Sequence, residues 1–102
     1  MDLDSKQMAN KPKKIGMLGN QEAFYSMAKG GLGVVHTGLK DGKVGKILGI
    51  GGHPAIAKHV AKTRHPELEI TELSKSEASV VAHSAEAVRE YSAMTDRMNA
   101  LI

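Results

Sequence analysis

Apolar residues along this chain follow two different periods, and the period changes where glycine or proline interrupts it. "LGVVHTGL" (Leu32 to Leu39) and "VGKILGI" (Val44 to Ile50) are short, aliphatic and rich in β-branched residues, as strands are. Asp41-Gly42 lies between them, and a two-residue hairpin turn needs positive φ at both central positions. That turn pairs Leu39 with Val44, Thr37 with Lys46 and Val35 with Leu48. "ELEITEL" (Glu67 to Leu73) alternates Leu68 and Ile70 with acids and predicts a half-buried strand. "KIGML" (Lys14 to Leu18) is strand-like but weak, because two glycines stand close by.

Helical spacing governs the rest. Asn20 is a suitable N-cap for "QEAFYSMAK", with Phe24, Met27 and Ala28 on one side and Gly30 as a left-handed stop. Pro54 opens a second helix at the position where proline costs nothing, and Pro66 closes it after about Arg64. Ser74 and Glu77 form a capping-box pair. From there one helix on the order of 25 residues, ~38 Å at 1.5 Å per residue, is predicted to reach the C-terminus.

The resulting order, β(weak)-α-β-β-α-β-α, is an α+β chain. It matches the split βαβ, or ferredoxin-like, arrangement with an added C-terminal helix and a small mixed or antiparallel sheet covered on one face. Residues 1–14, polar and broken by Pro12, are expected to be a disordered tail ahead of a single domain at 15–102.

Composition narrows the function classes. With 102 residues there is room for one core, and the aromatic fraction of 3% (Phe24, Tyr25, Tyr91) makes that core aliphatic. Zero cysteines exclude disulfides and thiolate metal sites. No apolar run is long enough to span a membrane or to form a signal peptide, so a soluble, cytoplasmic protein without membrane partners is expected. A net charge of +3 is too mild to demand a polyanionic partner.

The stretch "ILGIGGHPAIAKHVAKTRHP" carries most of the candidate chemistry. His53, His59 and His65 recur every six residues, which turns each to a different helix face, so no i, i+4 metal pair forms. His83 and Glu86 stand three apart, a single weak pair. No metal and no cofactor are therefore expected.

"GIGGHP" opens a helix, and helix N-termini attract anions. It fits neither the Walker pattern nor GxGxxG, since the third glycine would be Pro54. An anion or phosphate-bearing ligand, if bound there, would sit on Gly51, Gly52 and His53 with Lys58 assisting. Lys58, Lys62 and His65 share a polar face but are few for nucleic acid. The hairpin strands carry no aromatic residue on which RNA bases could stack, so nucleic acid is a disfavoured partner. Catalytic machinery is also disfavoured: only a pocket joining His36, His53 or His83 with Glu72 or Glu77 would supply a histidine base.

The C-terminal segment is the most regular. Val80, Ser84, Ala87, Tyr91, Met94, Met98 and Leu101 are spaced 4, 3, 4, 3, 4, 3, a heptad seam widened by Val81 and Val88. Its first half suits packing on the domain's own sheet. Its end, with Tyr91, Met94, Met98 and Leu101, predicts an interface for a homodimer. The sequence thus points first to an oligomerising binding or accessory module, then to a binder of a phosphate-bearing ligand or nucleic acid, and last to a histidine-dependent enzyme.

Overall fold

The computed structural model describes residues 12–28, 30–40, 43–70 and 73–101. The chain is α+β, as predicted. A five-stranded antiparallel sheet contains β1 (Lys13–Leu18), β2 (Gln21–Met27), β3 (Gly33–Thr37), β6 (Ile47–Gly51) and β7 (Glu69–Ile70). Its order is β6-β3-β2-β1-β7. The short strands β4 (Leu39–Lys40) and β5 (Lys43–Val44) extend the β3–β6 hairpin. Three helices complete the fold: α1 (Pro54–Arg64), α2 (Lys75–Ala82) and α3 (Ala85–Leu101).

The predicted first helix does not exist. Gln21–Met27 is β2, paired with β1 on one side and β3 on the other, so the split βαβ order gives way to a four-strand meander. Asn20 is no N-cap. Gly19-Asn20 is a two-residue turn joining Leu18 to Gln21, with Gly19 at φ 63°, the positive value that such hairpins require. The weak first strand is real and runs through the sheet between β2 and β7. Gly16 is what admits β7, because a Cβ there would lie 1.9 Å from the Glu69 carbonyl oxygen. Lys13 and Lys14, expected in the tail, open this strand; the remainder of that tail, up to residue 11, lies outside the described residues.

The hairpin register holds at its tip, where Leu39 pairs with Val44 and Lys40 with Lys43. Asp41-Gly42 itself lies outside the described residues. Thr37 N–H bonds the Lys46 carbonyl as expected, at 2.9 Å. Further in, Val35 pairs with Gly49 and not with Leu48, because the register shifts by one residue between Val35 and His36. The extra residue puts Ile47 on the same face as Ile50, three positions on, while Leu48 faces the other side, and Ile47 and Leu48 are both fully buried.

The helices do not share one face. Val35, Leu48 and Ala23 pack with Ala57 and Ala61 of α1 and with Leu68. Val34, Ile47 and Ile50 pack on the opposite face with Tyr91, Met94 and Met98 of α3. The C-terminal segment is also interrupted. α2 stops at Ala82 and α3 starts at Ala85, so the heptad seam breaks at His83-Ser84. His83 turns its ring back, Nδ1 donating at 2.8 Å to the Ser79 carbonyl, which also accepts the His83 backbone N–H at 3.1 Å. α2 then lies against α1 while α3 crosses β6. The capping box at Ser74 and Glu77 is present in both of its bonds, as predicted.

Candidate functional site

Among the described residues, two recesses and one buried polar pair carry candidate chemistry. The larger recess is a cleft of about 690 Å3 where β2 begins and β3 ends, lined by Gln21, Glu22, Phe24, Thr37, Gly38, Gly45 and Lys46. Its aromatic wall, Phe24, lies directly across the ladder from His36, and the two rings stack with centroids 6.0 Å apart and planes inclined by 20°. Thr37 Oγ1 accepts the Lys46 N–H at 2.8 Å, which fixes the strand end that carries the Lys46 ammonium. Gly45 lets that strand close in, since a Cβ would fall 2.3 Å from the same hydroxyl oxygen. Glu22 faces Lys14 of β1 at 3.9 Å. The cleft thus offers a ring face, an amide, and one charge of each sign, a common make-up for a small-molecule site.

Behind Phe24, His36 donates its Nδ1–H to its neighbour's carbonyl, Thr37 O, at 2.5 Å. That leaves Nε2 to accept the Ser26 hydroxyl at 2.7 Å. Burial lowers the His36 pKa below its ordinary value, partly offset by the bond to Thr37. A serine on a neutral imidazole has the form of a nucleophile and its base. Here Ser26 is 1% and His36 0% exposed, so no substrate carbonyl can reach the hydroxyl. The pair satisfies its own buried polar atoms.

The smaller recess, about 280 Å3, lies at the opposite end of β1 and is lined by Lys13, Lys14, Ile15, Lys58 and Ile70. Lys58 reaches it from α1 and also donates to Glu77 of α2 at 2.9 Å. That bond, with the Ser74 N–H, holds the Glu77 carboxyl below its ordinary pKa.

The residues singled out from sequence fall as follows. Gly51 ends β6 and Gly49 lies within it. A Cβ on Gly49 would sit 2.5 Å from Ala61 N, and one on Gly51 2.7 Å from Ala57 N, so these glycines let α1 lie flat on the strand. Gly52 follows, its open side facing the Tyr91 hydroxyl. His53 is the N-cap of α1, with Nδ1 accepting the Ala55 N–H at 3.0 Å, the bond an anion would otherwise take. Lys58 alone of that set lines a recess. Tyr91, Met94 and Met98 pack on Val34, Ile47 and Ile50, while the Leu101 side chain lies outside the described residues.

Neither recess is lined by His36, His53 or His83. Among the described residues no three His, Asp or Glu side chains gather as a metal site would require, and no helix is long and apolar enough to cross a membrane. The cleft residues Gln21, Glu22 and Phe24 escaped sequence reasoning because their segment was read as a helix. Gly19-Asn20 was the available signal. The hairpin strands β3 and β6 carry no aromatic residue, as expected, but β2 adds Phe24 and Tyr25 to the same sheet. No family model, no curated protein and no solved structure matches this chain.

Proposed function

We propose that this protein is a small-ligand binding module whose site is the cleft at Phe24 and Lys46, and that it binds without turning its ligand over. The observation that carries this reading is the Phe24 ring: one side is backed by His36, and the ring forms a wall of a cleft about 690 Å3 in volume. A rigid, backed ring is a stacking surface that requires little ordering on binding. Glu22 and Lys46 supply opposite charges, so the fitting ligand is planar and carries both donors and acceptors.

Ligand-observed NMR with adenosine, tryptophan and indole tests this. Saturation transfer to at least one ring, lost in Phe24→Ala and in the ring-free but apolar Phe24→Leu, is the expected result. No transfer to any of the three, or transfer unchanged in both variants, overturns it.

Association through α3 is a second reading. Tyr91, Met94 and Met98 keep part of their surface exposed while packing on the sheet. A second copy would extend that existing core. Sedimentation equilibrium decides it, and a monomer at high micromolar concentration ends it.

A further inference from the structure

Sulfur in this chain is carried by methionine alone, since there are six methionines and no cysteine. A peroxide therefore meets no thiol here, and the thioethers are the sulfur it oxidises. Four of them lie among the described residues: Met17 on β1, Met27 on β2, and Met94 and Met98 one turn apart on α3. All four are half-buried, within reach of a small oxidant. Their surroundings differ. Met94 and Met98 pack on the core cluster of Val34, Ile47 and Ile50, whereas Met17 and Met27 belong to neither core cluster of the described residues. Ile47 is held twice at this contact, because its backbone N–H and carbonyl are both bonded by Asn99, the residue after Met98. Whatever seats Met98 on the sheet therefore also seats the amide that closes the β6 edge. Further back along α3, Arg64 of α1 donates to Ser92 Oγ at 3.1 Å and pairs with Asp96, a polar anchor that contains no sulfur.

We propose that Met94 and Met98 are an oxidation-sensitive latch: their sulfoxidation by hydrogen peroxide frees the end of α3 from β6 and uncovers the strand edge at Ile47. Each thioether sulfur forms a bond to one peroxide oxygen as the O–O bond breaks. Sulfur gives up two electrons, the peroxide is reduced, and the proton of the transferred oxygen leaves with the other oxygen as water. The product carries a strong acceptor oxygen, and the side chains of Val34, Ile47 and Ile50 have no donor to offer it. The sulfoxide turns to water, and Asn99 is drawn off Ile47 with it. Arg64 keeps the middle of α3 in place, so the release is local.

The test treats the full chain with dilute hydrogen peroxide, maps sulfoxides by peptide mass spectrometry, and follows amide hydrogen exchange before and after. Sulfoxides at Met94 and Met98 are expected in the folded chain. The Ile47 amide should then exchange roughly tenfold faster or more, the scale set by burying one unpaired polar group. Amides of the β1–β2 ladder should change little. Met94→Leu with Met98→Leu keeps the apolar volume and should abolish the effect, whereas Met17→Leu with Met27→Leu should retain it. Treatment with a methionine sulfoxide reductase and a dithiol should restore slow exchange. Met94 and Met98 that stay unoxidised overturn the proposal. So does Ile47 exchange that is unchanged after oxidation, or that rises no more than exchange across the β1–β2 ladder, since that marks a general loss of stability and no latch.

Discussion

The Asn99 side chain holds both backbone polar groups of Ile47. Its Oδ1 accepts the Ile47 N–H at 3.1 Å and its Nδ2 donates to the Ile47 carbonyl at 2.7 Å. Ile47 begins β6, an edge strand of the sheet, and is fully buried. The amide thus does at this point what a neighbouring strand would do, and α3 covers an edge that would otherwise offer itself to another chain.

Asn99→Ala leaves a buried donor and a buried acceptor without partners, so it is expected to cost about 1–3 kcal/mol. Asn99→Asp can still accept from the N–H but sets a carboxylate against the Ile47 carbonyl, so it should cost at least as much. Urea denaturation read by far-UV circular dichroism checks both. A midpoint unchanged in Asn99→Ala would show the bracket to be without energetic weight.

Gly49 is expected to tolerate no side chain. A Cβ there lies 2.5 Å from Ala61 N and 2.7 Å from Ala57 O, all backbone of α1, which cannot swing aside as a side chain can. Gly49→Ala must push the helix off the strand and disturb the core around Leu48, a loss of about 1–3 kcal/mol or more, as overpacking costs. Gly30→Ala serves as the contrast, because its φ of 95° is strained for alanine but open space surrounds it. A thermal melt in which Gly49→Ala is the milder of the two contradicts this account.

Removing the Tyr25 hydroxyl should not destabilise the fold. That oxygen is buried with no hydrogen-bond partner among the described residues, and its desolvation raises the phenol pKa. It lies over Gly33, where a Cβ would be 2.6 Å away. Tyr25→Phe keeps the ring and drops the unsatisfied group, for an expected gain of about 1 kcal/mol. A midpoint lowered in Tyr25→Phe would show that the hydroxyl has a favourable partner.

Acid should weaken the fold through His36. Burial holds its pKa below the ordinary 6.5, so the unfolded chain takes up a proton more readily than the folded one. The stability from a neutral His36 is fully present above about pH 6.5 and is lost as pH falls through the folded value. Protonation also ends the acceptor role of Nε2 toward Ser26. His65 is shifted the same way, by burial and then by Lys46, so it adds to the slope. Denaturation midpoints between pH 8 and pH 5 should fall in the parent chain and fall less steeply in His36→Gln. Parallel slopes would remove His36 from the explanation.

Much of the local structure was determined by the sequence alone, because its signals close within a few residues. Pro54 at the start of α1 and the Ser74–Glu77 box at the start of α2 act through the backbone of a single turn. The Leu39–Val44 register, read from a two-residue spacing, is local in the same way. Gln21–Met27 is different. Its residues suit a short helix or a strand, and what decides is pairing on both sides, with Leu18 opposite Gln21 and Thr37 opposite Ala23.

Only the tertiary structure could turn "GIGG" from a suggestion of phosphate into a bed for α1, since the clashing atoms belong to Ala57 and Ala61. It also broke the heptad seam at His83, where α2 had to stay on α1 while α3 crossed to the other face of the sheet. The two recesses were illegible for the same reason. Phe24 with Lys46, and Lys13 with Lys58, are joined by folding across elements distant in sequence, and no spacing along a chain encodes a convergence of that kind.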